Sequence, residues 1–162
     1  MEDYSFLKTD DPYYLTPQEI IQKKLELLEL KDGETLFDLG LGDARSLITA
    51  CGMVDIKGVG YEILPKAIEV STQNIKQAQL TDRIEIITKS MYEADLSRAD
   101  AVIIYLTRTM LGAISEKLEN ELPKGARIVT HDFDLPAWKA EKEVEIDLPN
   151  IELTTLYLYR NT

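Results

Sequence analysis

The stretch TLFDLGLGDARSLITA, residues 35–50, decides the fold. An apolar run stops at Gly40-Leu41-Gly42 and then takes up the spacing of a helix, with Leu47, Ile48 and Cys51 on one face. A buried strand, a glycine turn and a helix start form the opening unit of an open α/β sheet. There, the missing Cβ atoms let backbone approach a ligand closely. The glycines only partly fit a dinucleotide loop. Arg45 stands where a third glycine would pack under a pyrophosphate, and Asp38 and Asp43 flank the turn. Two carboxylates beside a pyrophosphate are electrostatically poor, which argues against a nicotinamide enzyme. S-adenosylmethionine makes other demands, since it carries an ammonium, a carboxylate and a sulfonium but no phosphate. Asp38 suits the ammonium, and N–H groups of the loop suit the carboxylate. Glu62, at the end of the second strand, stands where an acid reaches ribose hydroxyls in such folds.

The same alternation extends outward. Thr16-Pro17-Gln18-Glu19 reads as a capping box opening a first helix, which Gly33 is expected to close. KGVGYE (57–62) forms the second strand. Pro65 then opens a helix with apolar positions Ile68, Ile75 and Ala78. RIEIIT (83–88) is the third strand, and the uninterrupted AVIIYL (101–106) is a central fourth strand buried on both faces. Leu111, Ile114, Leu118 and Leu122 stripe the next helix, which leads through PKG into ARIVTHDF (126–133). KEVEIDL and IELTTLYLYR follow with only Pro149-Asn150 between them, too little for a crossover helix, so they predict an antiparallel hairpin.

Composition narrows the function. Apolar residues make up 44% of the 162-residue chain and charged residues 29%, which fits one globular domain with its own core. The net charge of −11 disfavours nucleic acid as partner and favours cationic ones. No run is long enough to insert into a membrane, and the acidic start lacks the apolar core of a signal peptide. The single cysteine, Cys51, fits a cytoplasmic location. No His/Cys cluster has metal-ligand spacing, so no metal is expected. Tyr105 ends the central strand, where such sheets place their sites. Its ring is the candidate catalytic group, with Leu106 and Thr107 beside it for substrate. Phe133 and Trp138 in DFDLPAW are candidates for the border of a substrate groove, although Trp138 also suits a hydrophobic plug. His131 reads as a packed strand histidine in preference to a base.

YLTPQEIIQKKLEL, DLGLGDAR, GVGYEILPKAIE, IYLTRTML, LPKGARIVTHDFDLPAW and the closing TTLYLYR occur in this order. Together they resemble the archaeal broad-specificity protein-lysine methyltransferases and their mitochondrial relatives acting on ATP synthase c-subunits. The resemblance runs from about Tyr13 to Arg160. It implies a Rossmann-like class I methyltransferase, α/β, with a mostly parallel seven-stranded sheet and a C-terminal antiparallel hairpin. It implies one domain, with residues 1–33 as a cofactor-covering segment and helix and 34–162 as the sheet core. S-adenosylmethionine is the implied cofactor and S-adenosylhomocysteine its product. The expected partners are lysine-bearing, basic proteins, and the expected state is a monomer. Asp38, Leu39, Gly40, Gly42, Asp43 and Arg45 match the family loop, while Ala44 replaces its last glycine. The family's N-terminal segment makes Tyr14 and Thr16 cofactor candidates, and Ser90-Met91 stands where the family places its adenine contacts. A small-molecule methyltransferase and a catalytically inactive module of the same fold are the alternatives.

Overall fold

A computed structural model describes residues 16–162 of the protein. Alternation along β1 (Thr35–Leu39) splits its side chains between two layers. Leu36 belongs to the apolar cluster with α1 (Gln18–Leu28), α2 (Arg45–Met53) and α3 (Pro65–Gln77). Phe37 and Leu39 belong to the opposite cluster with α4 (Arg108–Glu121). The remaining strands are β2 (Lys57–Tyr61), β3 (Ile84–Ile87), β4 (Ala101–Ile104), β5 (Arg127–His131), β6 (Lys142–Ile146) and β7 (Thr154–Arg160). They form one seven-stranded sheet in the order β3-β2-β1-β4-β5-β7-β6. Neighbours from β3 to β5 run parallel. β7 lies antiparallel to both β5 and β6, so the C-terminal hairpin adds its second strand to the sheet first.

Several local expectations are corrected. The Thr16 capping box does not form: Pro17 is the N-cap of α1, without a side-chain bond, and its carbonyl accepts the N–H groups of Ile20 and Ile21. Nor does Gly33 end that helix. Glu29 does, in the left-handed region at φ 49°, and Gly33 serves a later turn in which its N–H donates to the Asp55 carbonyl. In α3 the buried face is Ala67, Ser71 and Ile75, while Ala78 is exposed beyond the helix end. The hairpin connection spans residues 147–153, longer than the Pro149-Asn150 pair.

Arg127 joins the first helix to the sheet. Arg127, at the start of β5, donates through Nη1 and Nη2 to the two Glu34 oxygens at 2.8 and 2.7 Å, and through Nε to the Leu28 carbonyl. The Arg127 guanidinium holds the Glu34 carboxyl below its ordinary value of 4.5. Arg127→Met strands Glu34 and the last turn of α1, at a cost of about 3 kcal/mol or about 6–12 °C in Tm. A group with a depressed folded pKa stabilises above its unfolded value and ceases to do so as the pH falls through the folded one. The Tm gap between variant and wild type, followed by thermal melts, should therefore narrow below about pH 4.5.

Candidate active site

The strand order reverses between β1 and β4, and open α/β sheets leave a crevice beyond the carboxyl ends at such a point. A cavity of about 380 Å³ lies there. Its floor is Asp38 from the end of β1 and Ile103 from β4. Glu62 after β2 forms one side, Tyr105 after β4 another, and α1 contributes Ile21 and Lys24.

The glycine loop is held by its own hydrogen bonds. The N–H groups of Gly40 and Leu41 both donate to the Tyr61 carbonyl, at 3.1 and 3.0 Å. Gly42 N–H donates to Glu62 Oε1 at 2.8 Å, Ala44 N–H to the Leu41 carbonyl, and Arg45 N–H to Asp43 Oδ1. The expectation that these N–H groups face a ligand carboxylate is thus corrected, because five of the six residues from 40 to 45 spend theirs inside the protein. Glu62 is equally engaged. Its Oε2 accepts the N–H groups of Ile63 and Leu64, so its carboxylate latches the loop to the approach of α3. A carboxylate has about four lone-pair sites, so with three taken about one is left for a ribose hydroxyl. Ala44 sits at φ 71°, the conformation that favours the family's glycine. It is wholly buried and does not intrude on the cleft. Leu41 lies over Gly60 of β2, where a Cβ would come within 2.6 Å of the leucine side chain. Arg45 pairs with Asp43 at 2.7 Å and donates to the Thr16 carbonyl, tying the loop to the chain just before α1. Thr16 lines the cleft.

Charge in the cleft is strongly perturbed. Burial pushes the Asp38 carboxyl up to about 8; Lys24 opposes this, and Glu62 and Asp43 add to it. Burial pulls Lys24 down to about 8 against the attraction of Asp38 and Asp132. The Lys24 ammonium lies 5.0 Å from the Tyr105 ring centroid, and that ring stacks on His131 at 3.7 Å and 12°. His131 is driven to about 3 by burial and then by Lys24, so its imidazole is neutral. Its Nε2 lies 3.6 Å from Asp132 Oδ2, a contact that carries no ion pair in that state. Its Nδ1 is enclosed without a partner among the described residues, so the histidine packs under Tyr105 and does not face the cleft.

The remaining sequence candidates divide. Ser90, Met91, Leu106, Thr107 and Phe133 line the cleft. Ser90 Oγ also accepts the Tyr92 N–H, and Thr107 Oγ1 caps α4 by accepting the Met110 N–H. Leu39 does not line it, since alternation turns its side chain toward α4. Trp138 is away from it too, edge-on to Tyr159 at 6.1 Å. Gly42 acts through its bond to Glu62. Tyr14 lies outside the described residues. Lys24 was the residue missed, although one signal was legible. It falls at helical spacing between Ile20, Ile21 and Leu28, inside the apolar stripe of α1.

These groups suit S-adenosylmethionine. The buried Asp38 carboxyl and Lys24 ammonium suit an amino-acid end, Glu62 suits a ribose, and an engaged glycine loop offers little to a pyrophosphate. The profile of the ANTKMT methyltransferase domain matches residues 38–142, from Asp38 into β6. The chain belongs to this methyltransferase family. The methyltransferase is 32% identical to a protein-lysine N-methyltransferase of Saccharolobus islandicus, over 91% of this chain and 92% of that one. It is 29% identical to the adenine nucleotide translocase lysine N-methyltransferase of Mus musculus, spanning 58% of that relative's length. Among solved structures, an RNA methyltransferase of Salinibacter ruber in complex with S-adenosyl-L-homocysteine superposes with a TM-score of 0.84. It is 32% identical, over 91% of this chain and 93% of that one. The methyltransferase therefore uses S-adenosylmethionine as its methyl donor. No helix among its described residues is long and apolar enough to cross a membrane.

Proposed function

We propose that the protein methylates lysine side chains of proteins. The near full-length likeness to the Saccharolobus islandicus protein-lysine N-methyltransferase carries this reading. The charge of the chain supports it, because a surface at −11 attracts lysine-rich partners and repels a phosphate backbone. The cleft rim supports it as well: Ile63, Tyr92 and Phe133 stand exposed around the opening, as a macromolecular acceptor requires. The protein acts as a cytoplasmic monomer of one domain.

S-adenosylmethionine, when bound, supplies an activated methyl group on sulfur with a neutral thioether as leaving group. Asp38 accepts its ammonium, Glu62 a ribose hydroxyl, and Ser90 and Met91 border its adenine. Tyr105 and Leu106, directly after β4, line the path of an incoming lysine, with Thr107 and Phe133 at its mouth. A free lysine has a pKa of about 10.4, so its amine must lose a proton before attack. Partial desolvation in the cleft lowers that value, and the proton leaves to water. With His131 enclosed, the chain's contribution is alignment of the amine with the methyl group, to which in-line displacement responds strongly.

The likeness to the Salinibacter ruber RNA methyltransferase gives RNA as a second acceptor class to test. Incubation with methyl-labelled S-adenosylmethionine and either a histone mixture or ribosomal RNA separates them. Label recovered as methyl-lysine after acid hydrolysis of the histones is expected. Label in RNA alone would overturn the assignment.

A further inference from the structure

Lys24 is 2% exposed and lies within the apolar stripe of α1, yet it lines the cleft. Its ammonium makes no hydrogen bond or ion pair with the described residues; its contact is the face of Tyr105 at 5.0 Å. A buried cation without a hydrogen bond or ion pair is costly, and an apolar side chain would serve the packing of this stripe at lower cost. A ligand group that pairs with it offsets that cost.

The cofactor brings such a group. Its amino-acid end carries a carboxylate next to the ammonium, and the loop that usually receives an anion is closed here. Gly40, Leu41, Gly42, Ala44 and Arg45 all donate their N–H groups within the protein. Asp43 and Ser46 remain as the loop donors on the cleft. Asp38, which suits the ammonium, lies in the same chamber as Lys24. We propose that Lys24 is the counter-ion of the cofactor's α-carboxylate, so that Lys24 and Asp38 together read the amino-acid end as a zwitterion. The inference rests on S-adenosylmethionine as the cofactor. Asp38 and Asp132 counter the effect of burial on Lys24, which keeps it largely protonated at neutral pH to meet a carboxylate.

The test uses two ligands that differ only in that carboxylate, S-adenosylmethionine and its decarboxylated form. Both are titrated calorimetrically into the full chain and into Lys24→Met. Wild type is expected to prefer S-adenosylmethionine by tenfold or more. In Lys24→Met the preference should shrink to within about threefold, with the decarboxylated ligand bound much as before. A preference that survives the substitution overturns the proposal and assigns the carboxylate to the Asp43 and Ser46 N–H groups. An equal loss of both ligands overturns it too, by making Lys24 a structural residue. Should Lys24→Met not fold, Lys24→Gln removes the charge while keeping a polar side chain of similar reach. Wild-type protein that binds neither ligand would instead overturn the cofactor assignment itself.

Discussion

Asp38→Asn is expected to lower affinity for S-adenosylhomocysteine by about 100-fold or more and, at alkaline pH, to raise the melting temperature of the ligand-free protein. The loss follows from replacing a charge-assisted bond to a buried ammonium with a neutral one, a change of order 2–5 kcal/mol. The gain follows from linkage. The ordinary aspartate value is 3.8, and burial raises it to about 8 in the folded protein. Between those values the folded state holds a proton that the unfolded state has released, so stability falls as the pH rises across that window. Above pH 8 the folded protein carries a buried carboxylate while Lys24 is losing its charge. Asparagine removes that burden. The variant should melt about 4 °C or more above wild type at pH 9, and the two should converge toward pH 4. Calorimetric titration and thermal melts measure both quantities. A variant that bound the product as tightly as wild type would remove Asp38 from the cofactor site.

Glu62→Gln should lose both stability and affinity. The Glu62 carboxylate receives the Gly42 N–H on one oxygen and the Ile63 and Leu64 N–H groups on the other. An amide keeps a single acceptor, so its NH₂ must face either the loop glycine or the approach to α3. One buried donor left unpaired costs about 1–3 kcal/mol, which corresponds to about 2–12 °C in Tm. With the loop loosened and the ribose contact weakened, affinity for S-adenosylhomocysteine should fall about 30-fold. 5′-Methylthioadenosine, which keeps the ribose but lacks the amino-acid end, should weaken by a similar factor. Retention of 5′-methylthioadenosine binding would show that Glu62 acts on the loop alone. Asp38→Asn should spare that ligand, so the pair of variants separates the two ends of the cofactor.

Much of this architecture is legible in local chemistry. The apolar run ending at Leu39 predicts β1 with its observed bounds, and the terminal hairpin follows from two strand patterns set too close for a helix. Asp38 and Glu62 are recognisable because each stands at the end of a strand, where side chains face the crevice. The helix ends were less legible. Thr16-Pro17 has the letters of a capping box, but the chain turns so that the Thr16 carbonyl meets Arg45 and Pro17 becomes the cap. Glu29 adopts the left-handed conformation that glycine favours, and nothing in its identity announces this. Trp138 illustrates another limit. A large aromatic in a loop fits a groove or a plug equally well until Tyr159 is found beneath it.

Local chemistry sets the order of strands and helices, the position of the glycine turn, and the two carboxylates that stand at the ends of β1 and β2. These follow from periodicity and from residues within a few positions of each other. The contents of the site depend on how the strands and helices assemble. The parallel register of β1, β4 and β5 places Asp38 beside Ile103 and Ile103 beside Val129, which brings Tyr105 and His131 together and sets Lys24 of α1 above them. It also directs the N–H groups of Gly40, Leu41 and Gly42 to Tyr61 and Glu62. Burial, and with it the pKa values of Asp38 and Lys24, depends on groups far apart in the chain that meet only when the sheet has formed.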